Sequence, residues 1–420
     1  MSRGFWKWSA TVVAAAVTFS AVSVLPNKAE AAPSANAAAP VINGPIFNNP
    51  LGSPAERRTV IDQLVGLIEA TQPGGEIIVV MHEWMSEGTA GPAVVKALKA
   101  ADSRSVMVKV ILDSELKENP ATYSDLAGTL GTDTSGSSWA LLCPRNRGCI
   151  AGTSPNDPND PNDLGDSHNK FAIFSKLEVN GKAYGSAVFQ SSSNLHDWYL
   201  DESFNDAYTL ASDKRGDAED LIYGEYRRYA FQLLKGAGEP HRNDNYASFF
   251  ISPYRLRFFP RREATAPEGD PMVETLNNID KCQYSAAGQA RTTKIDLALT
   301  HFTNYRIHIA DKLAQLATQG CDITIIGSTF GSKIEPKLKS APLDFRGACH
   351  IGAAEVTSHT KITMINGPFK GDTTPRVITG SANFTMMSRS DDAELMIVGG
   401  GDYEKYARWY ENLKDACASQ

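Results

Sequence analysis

The 420-residue sequence predicts an α/β fold that is written twice along the chain. Strand-like and helix-like segments alternate, and their order in the first half recurs in the second. The strand-like runs are apolar along most of their length, which is typical of sheets covered by helices on both faces. A short polar pattern also occurs once in each half. Together these observations predict two similar α/β repeats with mainly parallel or mixed sheets flanked by helices.

The periodicity of apolar residues predicts the elements of each repeat. The first half has helix, strand, helix and strand in that order, at residues 55–70, 76–82, 91–101 and 106–112. After an apolar segment at 256–260, the second half repeats this order at residues 272–279, 294–301, 304–318 and 321–326. Each half is predicted to end in a long helix, at 217–234 and 403–416.

The N-terminus has the pattern of a secretory signal peptide, which we predict over residues 1–32. Basic and aromatic residues precede an apolar run from Ala10 to Leu25, and the small-residue pattern Ala29-Glu30-Ala31 follows. We therefore expect a secreted, extracellular protein. An uncleaved membrane anchor is the alternative, but the run is shorter than the ~20 apolar residues that a spanning helix needs.

The rest of the chain is too long for one ordinary core, since single domains usually stop growing at about 250–300 residues. A segment rich in Ala, Ser and Pro predicts a disordered lead-in at 33–43. A polar stretch containing Gly and Pro predicts a linker at 236–250. The two repeats are then expected at 44–235 and 251–420.

Six cysteines in a secreted chain predict disulfide bonds. Only Cys143 and Cys149 are close enough in sequence to be paired from the sequence alone. A structural zinc site is the alternative, which the lack of any Cys-x-x-Cys spacing disfavours.

The formal net charge is −7 and the isoelectric point is about 5.7. A protein that holds long nucleic acid through phosphate contacts is expected to be basic. We therefore expect no stable nucleic-acid partner.

The polar pattern is Ser-His-x-Lys, with His168 and Lys170 in the first half and His359 and Lys361 in the second. Each copy adjoins an apolar alternation typical of a strand, which places His and Lys on one face. Each is followed by Ser-x-Asn, at Ser192 and Asn194 and at Ser381 and Asn383. Attack on a phosphodiester needs one His as nucleophile, another as proton donor, and Lys and Asn to bind the phosphoryl oxygens.

Further residues are predicted to line a substrate pocket. His82 and His301 end equivalent predicted strands, and ligands bind at the carboxyl ends of strands in such sheets; buried structural histidines are the alternative. Trp84 and Trp198 lie in predicted site loops, where amphipathic rings suit a lipid interface and core packing is the alternative. The candidate substrate-binding residues are His82, Trp84, Ser192, Trp198, His301 and Ser381.

An Asn-Asp-Pro repeat at 155–163 precedes His168. Its oxygen atoms could bind calcium, but the prolines and the missing EF-hand pattern favour a solvated flap beside the site. No cluster of metal ligands is apparent in the sequence, so we expect that no cofactor is required.

These motifs resemble those of the phospholipase D superfamily, whose signature is His-x-Lys-x4-Asp followed by Gly-Ser-x-Asn. The resemblance covers nearly the whole mature chain and implies two α/β repeats related by a pseudo-two-fold axis, with one active site at their interface. The sequence departs from the signature at Ser175 and Asn366, which stand where the signature has Asp. Both side chains can still form hydrogen bonds, so the departure concerns the subfamily and efficiency more than the type of reaction.

The resemblance also implies an acidic residue from each half that orients the histidine of the other half. We expect Asp206 at His359 and Asp392 at His168, with Glu394 as the alternative to Asp392. The implied mechanism is ping-pong. His168 attacks phosphorus to form a phosphohistidine, and His359 protonates the leaving alcohol and then activates water.

The implied function is that of a secreted monomeric phosphodiesterase of phospholipase D type. It would hydrolyse phospholipids such as phosphatidylcholine, at a membrane or micelle surface, to phosphatidic acid and the head-group alcohol, and could also catalyse transphosphatidylation. One alternative is a secreted metal-independent endonuclease of the same superfamily. Another is a binding protein or toxin that keeps the fold without turnover, which the complete sets of His, Lys and Asn disfavour.

Overall fold

The computed structural model describes residues 39–114, 119–152, 164–263, 266–347 and 356–418. The predicted signal peptide and the Asn-Asp-Pro repeat at 155–163 lie outside these ranges. None of the helices within them is both long enough and apolar enough to cross a membrane.

The first repeat is built on a seven-stranded sheet with helices packed against it. The strands of this sheet are β1 (Gly44–Phe47), β2 (Glu76–Met81), β3 (Met107–Leu112), β4 (Trp139–Leu142), β5 (Lys170–Val179), β6 (Lys182–Ser191) and β8 (Asp206–Ser212), and the short β7 (Ser203–Phe204) lies outside it. The order in the sheet is β1-β8-β6-β5-β2-β3-β4. Its helices are α1 (Pro54–Ala70), α2 (Ala90–Ser103), α3 (Asn119–Leu130), α4 (Trp198–Asp201) and α5 (Ala218–Ala237).

The second repeat is built on an eight-stranded sheet. The strands of this repeat, inside and outside that sheet, are β9 (Ala247–Ile251), β10 (Tyr254–Phe258), β11 (Gln283–Ala286), β12 (Gln289–Thr292), β13 (Lys294–Phe302), β14 (Asp322–Phe330), β15 (Asp344–Arg346), β16 (Thr357–Ser358), β17 (Ile362–Asn366), β18 (Arg376–Gly380) and β19 (Ala393–Val398). The order is β15-β14-β13-β17-β18-β19-β10-β9, while β11 pairs with β12 and β16 with β7. Its helices are α6 (Pro271–Asn277), α7 (Ile307–Thr318), α8 (Ile334–Ser340) and α9 (Gly400–Ala418).

The predicted α/β class with mainly parallel or mixed sheets flanked by helices is confirmed, and both sheets are mixed. Only β2-β3-β4 and β13-β14-β15 run parallel in the two large sheets. A tight turn at Asn180 and Gly181, with φ of 52° and 74°, joins β5 to β6. Such left-handed pairs of residues reverse a chain into an antiparallel hairpin.

Two segments that the sequence predicts to be irregular contain ordered residues within the described ranges. The backbone N–H and C=O of Val41, in the predicted lead-in, both bond to the side chain of Gln63, and Asn43 bonds to Ala211. The predicted linker at 236–250 contains most of β9, which pairs with β10. Val41, Asn43 and β9 are held because their polar groups find partners in the folded protein.

The prediction of a disulfide between Cys143 and Cys149 is confirmed. A second disulfide joins Cys282 to Cys321, directly before β14. Cys417 is also disulfide-bonded.

In the first repeat, the position of the missing signature aspartate is filled by local hydrogen bonding and a neighbouring charge. The hydroxyl of Ser175 accepts a hydrogen bond of 2.8 Å from the backbone N–H of Glu76. The buried carboxylate of Glu76 contacts Lys109 and, at 2.7 Å, Arg227 of α5. The ion pairs lower the pKa of Glu76 although burial opposes them. They therefore fasten α5 to the sheet without an aspartate on β5.

The second repeat has the same arrangement with the charges reversed. Asn366 is the cross-strand partner of Lys294. The ammonium of Lys294 contacts Asp296 at 3.2 Å and Glu411 of α9 at 3.1 Å. In both repeats a charge at the start of the neighbouring strand holds the last helix against the sheet.

Asp206 joins the two repeats. Its buried carboxylate, on β8 of the first repeat, accepts hydrogen bonds from Thr379 on β18 and, at 3.1 Å, from the hydroxyl of Tyr406 on α9. Burial raises the pKa of Asp206 despite these donors. The residue lies within a hydrophobic core that contains side chains from both sheets and from α5 and α9.

The contact between Tyr406 and Asp206 predicts a cost of removing the hydroxyl. Tyr406→Phe leaves a buried carboxylate with one donor fewer, so the free energy of unfolding should fall by about 2 kcal/mol. Urea denaturation followed by circular dichroism measures the change. Tyr305→Phe, at a tyrosine that is 55% exposed, is the matched control. Equal stability of Tyr406→Phe and the control would contradict the joining role.

Candidate active site

Each catalytic histidine predicted from the sequence lies in a segment that the opposite repeat holds. The strand β16, directly before His359, pairs with β7, and the N–H of His359 donates to the carbonyl of Phe204 at 3.0 Å. Two residues before His168, Asp166 exchanges backbone hydrogen bonds with Arg389 and Asp391 of the second repeat. The two histidines therefore lie in the interface, 8% and 7% exposed.

Lys170 and Lys361 are buried beside these histidines. Each ammonium donates to the backbone carbonyl of its own histidine, at 2.8 Å and 2.7 Å. The Lys361 ammonium also lies 3.3 Å from Nε2 of His359. Burial lowers the pKa of Lys170 to about 8, and burial together with Lys170 lowers that of Lys361. A phosphoryl anion would stabilise both charged forms, so the pair fits an anionic ligand.

The structure places Asp392 at His168. Nδ1 of His168 lies 3.0 Å from Oδ1 of Asp392, which also accepts a 2.6 Å hydrogen bond from Ser381. Burial opposes ionisation of Asp392, but His168, Ser381 and Lys170 outweigh it and lower its pKa to about 2. The alternative candidate Glu394 forms a 2.7 Å salt bridge with Arg257 instead.

His168 is neutral in this environment. Burial and the charge of Lys170 lower its pKa to about 4, although Asp392 opposes the shift. With its Nδ1 proton donated to the carboxylate, Nε2 carries a lone pair that can attack an electrophile.

Asn205 contacts His359, so the expectation that Asp206 does so is wrong. Nδ1 of His359 lies 3.0 Å from Oδ1 of Asn205, which also accepts from the hydroxyl of Ser192 at 3.2 Å. Adjacent residues of an extended chain point to opposite sides. Asp206 therefore points away from His359, into the core described above.

The two serines show which positions of the repeats correspond. The hydroxyl of Ser192 accepts from the N–H of Asp206 at 3.0 Å, and that of Ser381 accepts from the N–H of Ala393 at 3.1 Å. Asn205 thus corresponds to Asp392, and Asp206 to Ala393. The sequence alignment that pairs Asp206 with Asp392 is therefore wrong by one residue. Because both serines are fully buried and hold these partners, the expectation that they contact substrate is also wrong.

The two histidines consequently differ in charge environment. His168 faces a carboxylate, whereas His359 faces a neutral amide. Burial, Lys361 and Lys170 lower the pKa of His359 well below its usual value, and Asn205 supplies no charge to oppose them. A bound phosphoryl anion would favour the imidazolium of His359.

Asn194 and Asn383 occupy corresponding positions after the serines. The side chain of Asn194 accepts from the N–H of Glu83 at 3.2 Å and donates to its carboxylate at 3.3 Å. Oδ1 of Asn383 is buried and has no hydrogen-bond partner within the described ranges. Asn383 lines a cavity of about 370 Å³ that opens beside His168.

The cavity receives both predicted pocket histidines. His82 packs against His168 with ring centroids 4.7 Å apart, and His301 lines the cavity from the second repeat. The other lining residues are Leu164, Asp166, Thr303, Tyr305, Thr385, Met386, Arg389 and Ser390. Trp84 does not reach it, because its ring is fully buried in the core and its indole N–H donates to the carbonyl of Gly91. The predicted pocket role of Trp84 is therefore wrong.

Trp198 lies on the other side of the site, at His359. Its ring centroid is 6.4 Å from that of His359, and the ring of the neighbouring Tyr199 is 4.6 Å away. The hydroxyl of Tyr199 donates to the Glu83 carboxylate at 2.6 Å. The sequence analysis did not select Asn205 or Glu83. Alignment of the two halves by sequence selects their neighbours Asp206 and His82 instead, an error of one residue in each case.

Across the described parts of the chain, no group of three or more His, Cys, Asp or Glu residues could hold a metal ion. The groups that the sequence predicts to bind phosphoryl oxygens are the ammonium groups of Lys170 and Lys361 and the amides of Asn194 and Asn383. That the reaction needs no cofactor stays a prediction.

Two α/β repeats thus contribute one His-x-Lys pair each to a shared interface. Residues 285–414, in the second repeat, match the family described as "Cardiolipin synthase, PLD-like domain". The match covers about a third of the chain, so this part of the second repeat is similar to a PLD-like domain. A search of curated protein sequences found no match.

Solved structures share this fold at low sequence identity. Phosphatidylserine synthase from Haemophilus influenzae Rd KW20 is 14% identical, with a TM-score of 0.51 over 90% of this chain and 86% of the synthase. Polyphosphate kinase from Porphyromonas gingivalis is 12% identical, with a TM-score of 0.53 over 87% of this chain and 49% of the kinase. This chain thus spans about half the length of the kinase. At these identities the likeness concerns the fold alone.

The amide at His359 predicts a pH effect that needs only one substitution. Asn205→Asp places a carboxylate at Nδ1, which stabilises the imidazolium and raises its pKa. If His359 acts as an acid, activity falls as pH rises through this pKa. The alkaline limb of the kcat/KM profile should therefore move to higher pH, by about one pH unit.

The profile is measured on a phosphodiester substrate from pH 4 to pH 10. Asn277→Asp, at an exposed position of α6, is the matched control and should leave the limb in place. An unmoved limb in Asn205→Asp would show that His359 is not the acid.

Proposed function

We propose that the protein is a phosphodiesterase of phospholipase D type that hydrolyses phospholipids such as phosphatidylcholine. The observation that carries the proposal is the pair of buried histidines, each held at Nδ1 by a residue of the opposite repeat and each beside a buried lysine. This arrangement can supply a nucleophile, an acid and an anion-binding site at one place.

In the first step, Nε2 of His168 attacks phosphorus while the bond from phosphorus to the head-group oxygen breaks. Lys170, Lys361, Asn194 and Asn383 bind the non-bridging oxygens. His359 donates a proton to the leaving oxygen, so the head group departs as a neutral hydroxyl. The product is a phosphatidyl group on His168, whose Nδ1–H is stabilised by Asp392.

In the second step, the now neutral His359 removes a proton from water. The oxygen attacks phosphorus, the bond from phosphorus to His168 breaks, and phosphatidic acid leaves. Both histidines return to their initial protonation states. An alcohol in place of the water would give transphosphatidylation.

The difference between Asp392 and Asn205 supports His168 as the nucleophile. A carboxylate at Nδ1 increases electron density on the ring and stabilises the cationic phosphohistidine. An amide orients His359 without raising its pKa, which leaves its proton easier to donate.

Three features support a phospholipid over a nucleic acid. The net charge is −7, so the chain lacks the basic excess that favours long nucleic acids. Trp198 and Tyr199 place amphipathic rings beside His359, and the exposed ring of Tyr305 lies at the mouth of the cavity.

We further propose that the protein is secreted and acts as a monomer without a metal. Its disulfides support secretion, since disulfides are typical of exported proteins.

The substrate class is tested by incubating the purified protein, with EDTA, with phosphatidylcholine vesicles and separately with plasmid and single-stranded DNA. We expect choline release and DNA of unchanged length. If no choline is released and the DNA is shortened, the proposal is wrong and the protein is an endonuclease. Neither activity would favour a binding protein.

The shared site predicts the behaviour of the two histidine variants. His168→Ala and His359→Ala should each reduce kcat by at least about 10³-fold, since each removes a group that forms or breaks a covalent bond. The enzymes are mixed with phospholipid carrying ³²P, and the reaction is quenched without acid. The wild type should then carry trapped ³²P label, and His168→Ala should carry none. His308→Ala, a partly exposed histidine of α7, is the control. Trapped label on His168→Ala would reassign the nucleophile.

A further inference from the structure

Glu83 is a carboxylate beside the phosphoryl-binding groups that the mechanism above does not use. It follows β2, and its Oε2 accepts hydrogen bonds from the hydroxyl of Tyr199 at 2.6 Å and from the amide of Asn194 at 3.3 Å. Both donors are neutral, so neither compensates its charge. A negative charge next to Asn194 repels a phosphoryl group, which makes its presence here unexpected.

Glu83 lies on the same side of the site as His359, because Tyr199 contacts both residues. The ring of Tyr199 packs on His359, 4.6 Å between centroids, and Trp198 is the next ring on the same side. His359 delivers its proton to the leaving oxygen in the proposed mechanism. Glu83 therefore lies where the leaving alcohol is held.

The corresponding position of the second repeat carries the opposite kind of side chain. The carbonyl of Glu83 accepts from the N–H of Leu195 at 3.0 Å, and that of His301 accepts from the N–H of Phe384 at 3.0 Å. Leu195 and Phe384 follow the two predicted phosphoryl-binding asparagines. Glu83 thus corresponds to His301, which lines the cavity at His168. The Glu83 side of the pseudo-symmetric site carries a carboxylate and two aromatic rings, whereas the cavity at His168 carries the imidazoles of His82 and His301 together with Asp166 and Tyr305.

We propose that Glu83, with the rings of Tyr199 and Trp198, binds a cationic group of the leaving alcohol. The inference rests on the proposed function and narrows its substrates to phospholipids whose head group carries an ammonium or quaternary ammonium. A carboxylate supplies the charge and the ring faces supply the apolar, electron-rich surface that such a cation prefers. An internal nucleotide has no cation at this position and would bring another phosphate toward Glu83.

A second role for Glu83 would be to balance the charge of Lys170, because Glu83 is among the groups that raise the pKa of this buried lysine. The two roles differ in their consequences. Charge balance affects every phosphodiester equally, whereas head-group binding affects only substrates with a cationic leaving group.

The test compares Glu83→Gln with the wild type on diheptanoyl phosphatidylcholine and diheptanoyl phosphatidylglycerol, both below their critical micelle concentrations. The ratio of kcat/KM for the choline lipid to that for the glycerol lipid should fall about tenfold. Glu83→Asp should restore part of the ratio. Glu87→Gln, which removes the same charge from an exposed position of the same loop, should leave the ratio unchanged. An unchanged ratio in Glu83→Gln overturns the inference and leaves the proposed function standing.

Binding of free choline separates the two proposals without turnover. Titration calorimetry should show choline binding to the wild type and to Glu87→Gln, weakened about tenfold in Glu83→Gln. A wild type that binds choline but hydrolyses no phospholipid would contradict the proposed function and support the cation site. Equal binding by all three proteins, or no binding by the wild type, overturns the inference.

Discussion

Two ammonium groups and two imidazoles share one buried interface, and the other features of the protein are arranged around this concentration of positive charge. Burial of a cation is costly unless it is paired or hydrogen-bonded. Here the histidine carbonyls and the carboxylate of Asp392 offset only part of that cost, as the lowered pKa values of Lys170 and Lys361 show. On the proposed function, a phosphoryl anion would supply the missing charge, and the free site would be preorganised for it.

The sequence predicts helices and strands well where the apolar periodicity is strong. It predicts them less well where the pairing between strands determines the structure. Helix α1 and strand β2 match their predicted bounds within one residue, because each has a continuous apolar face. The antiparallel pairs within the mixed sheets were not located, although Asn180-Gly181 is a hairpin signal, since apolar runs alone do not report strand direction. Strand β9 was missed because it lies at an edge, with Phe250 71% exposed.

Within the site, the sequence predicts the residues whose spacing recurs and fails where direction matters. The His-x-Lys pairs were found because both halves carry them. Asn205 was missed by one position, since a displacement of one residue in an extended segment turns a side chain to the other side. Trp84 was misplaced because an aromatic residue after a strand can face either core or pocket. The fold is thus symmetric in its backbone, while its chemistry depends on substitutions that break the symmetry.

The crossed attachment of the histidine segments also governs how the protein can move. Strand β16 is paired with β7, and Asp166 is bonded to backbone groups on both sides of Ser390, so each repeat fixes the other's histidine through main-chain hydrogen bonds. A hinge motion that separated the repeats would break these bonds and dismantle the site it exposed. Entry of substrate and exit of products must therefore use the rim of the existing cavity. On the proposed function, turnover would then depend on side chains and loops at this rim, while the main-chain bonds between the repeats stay intact.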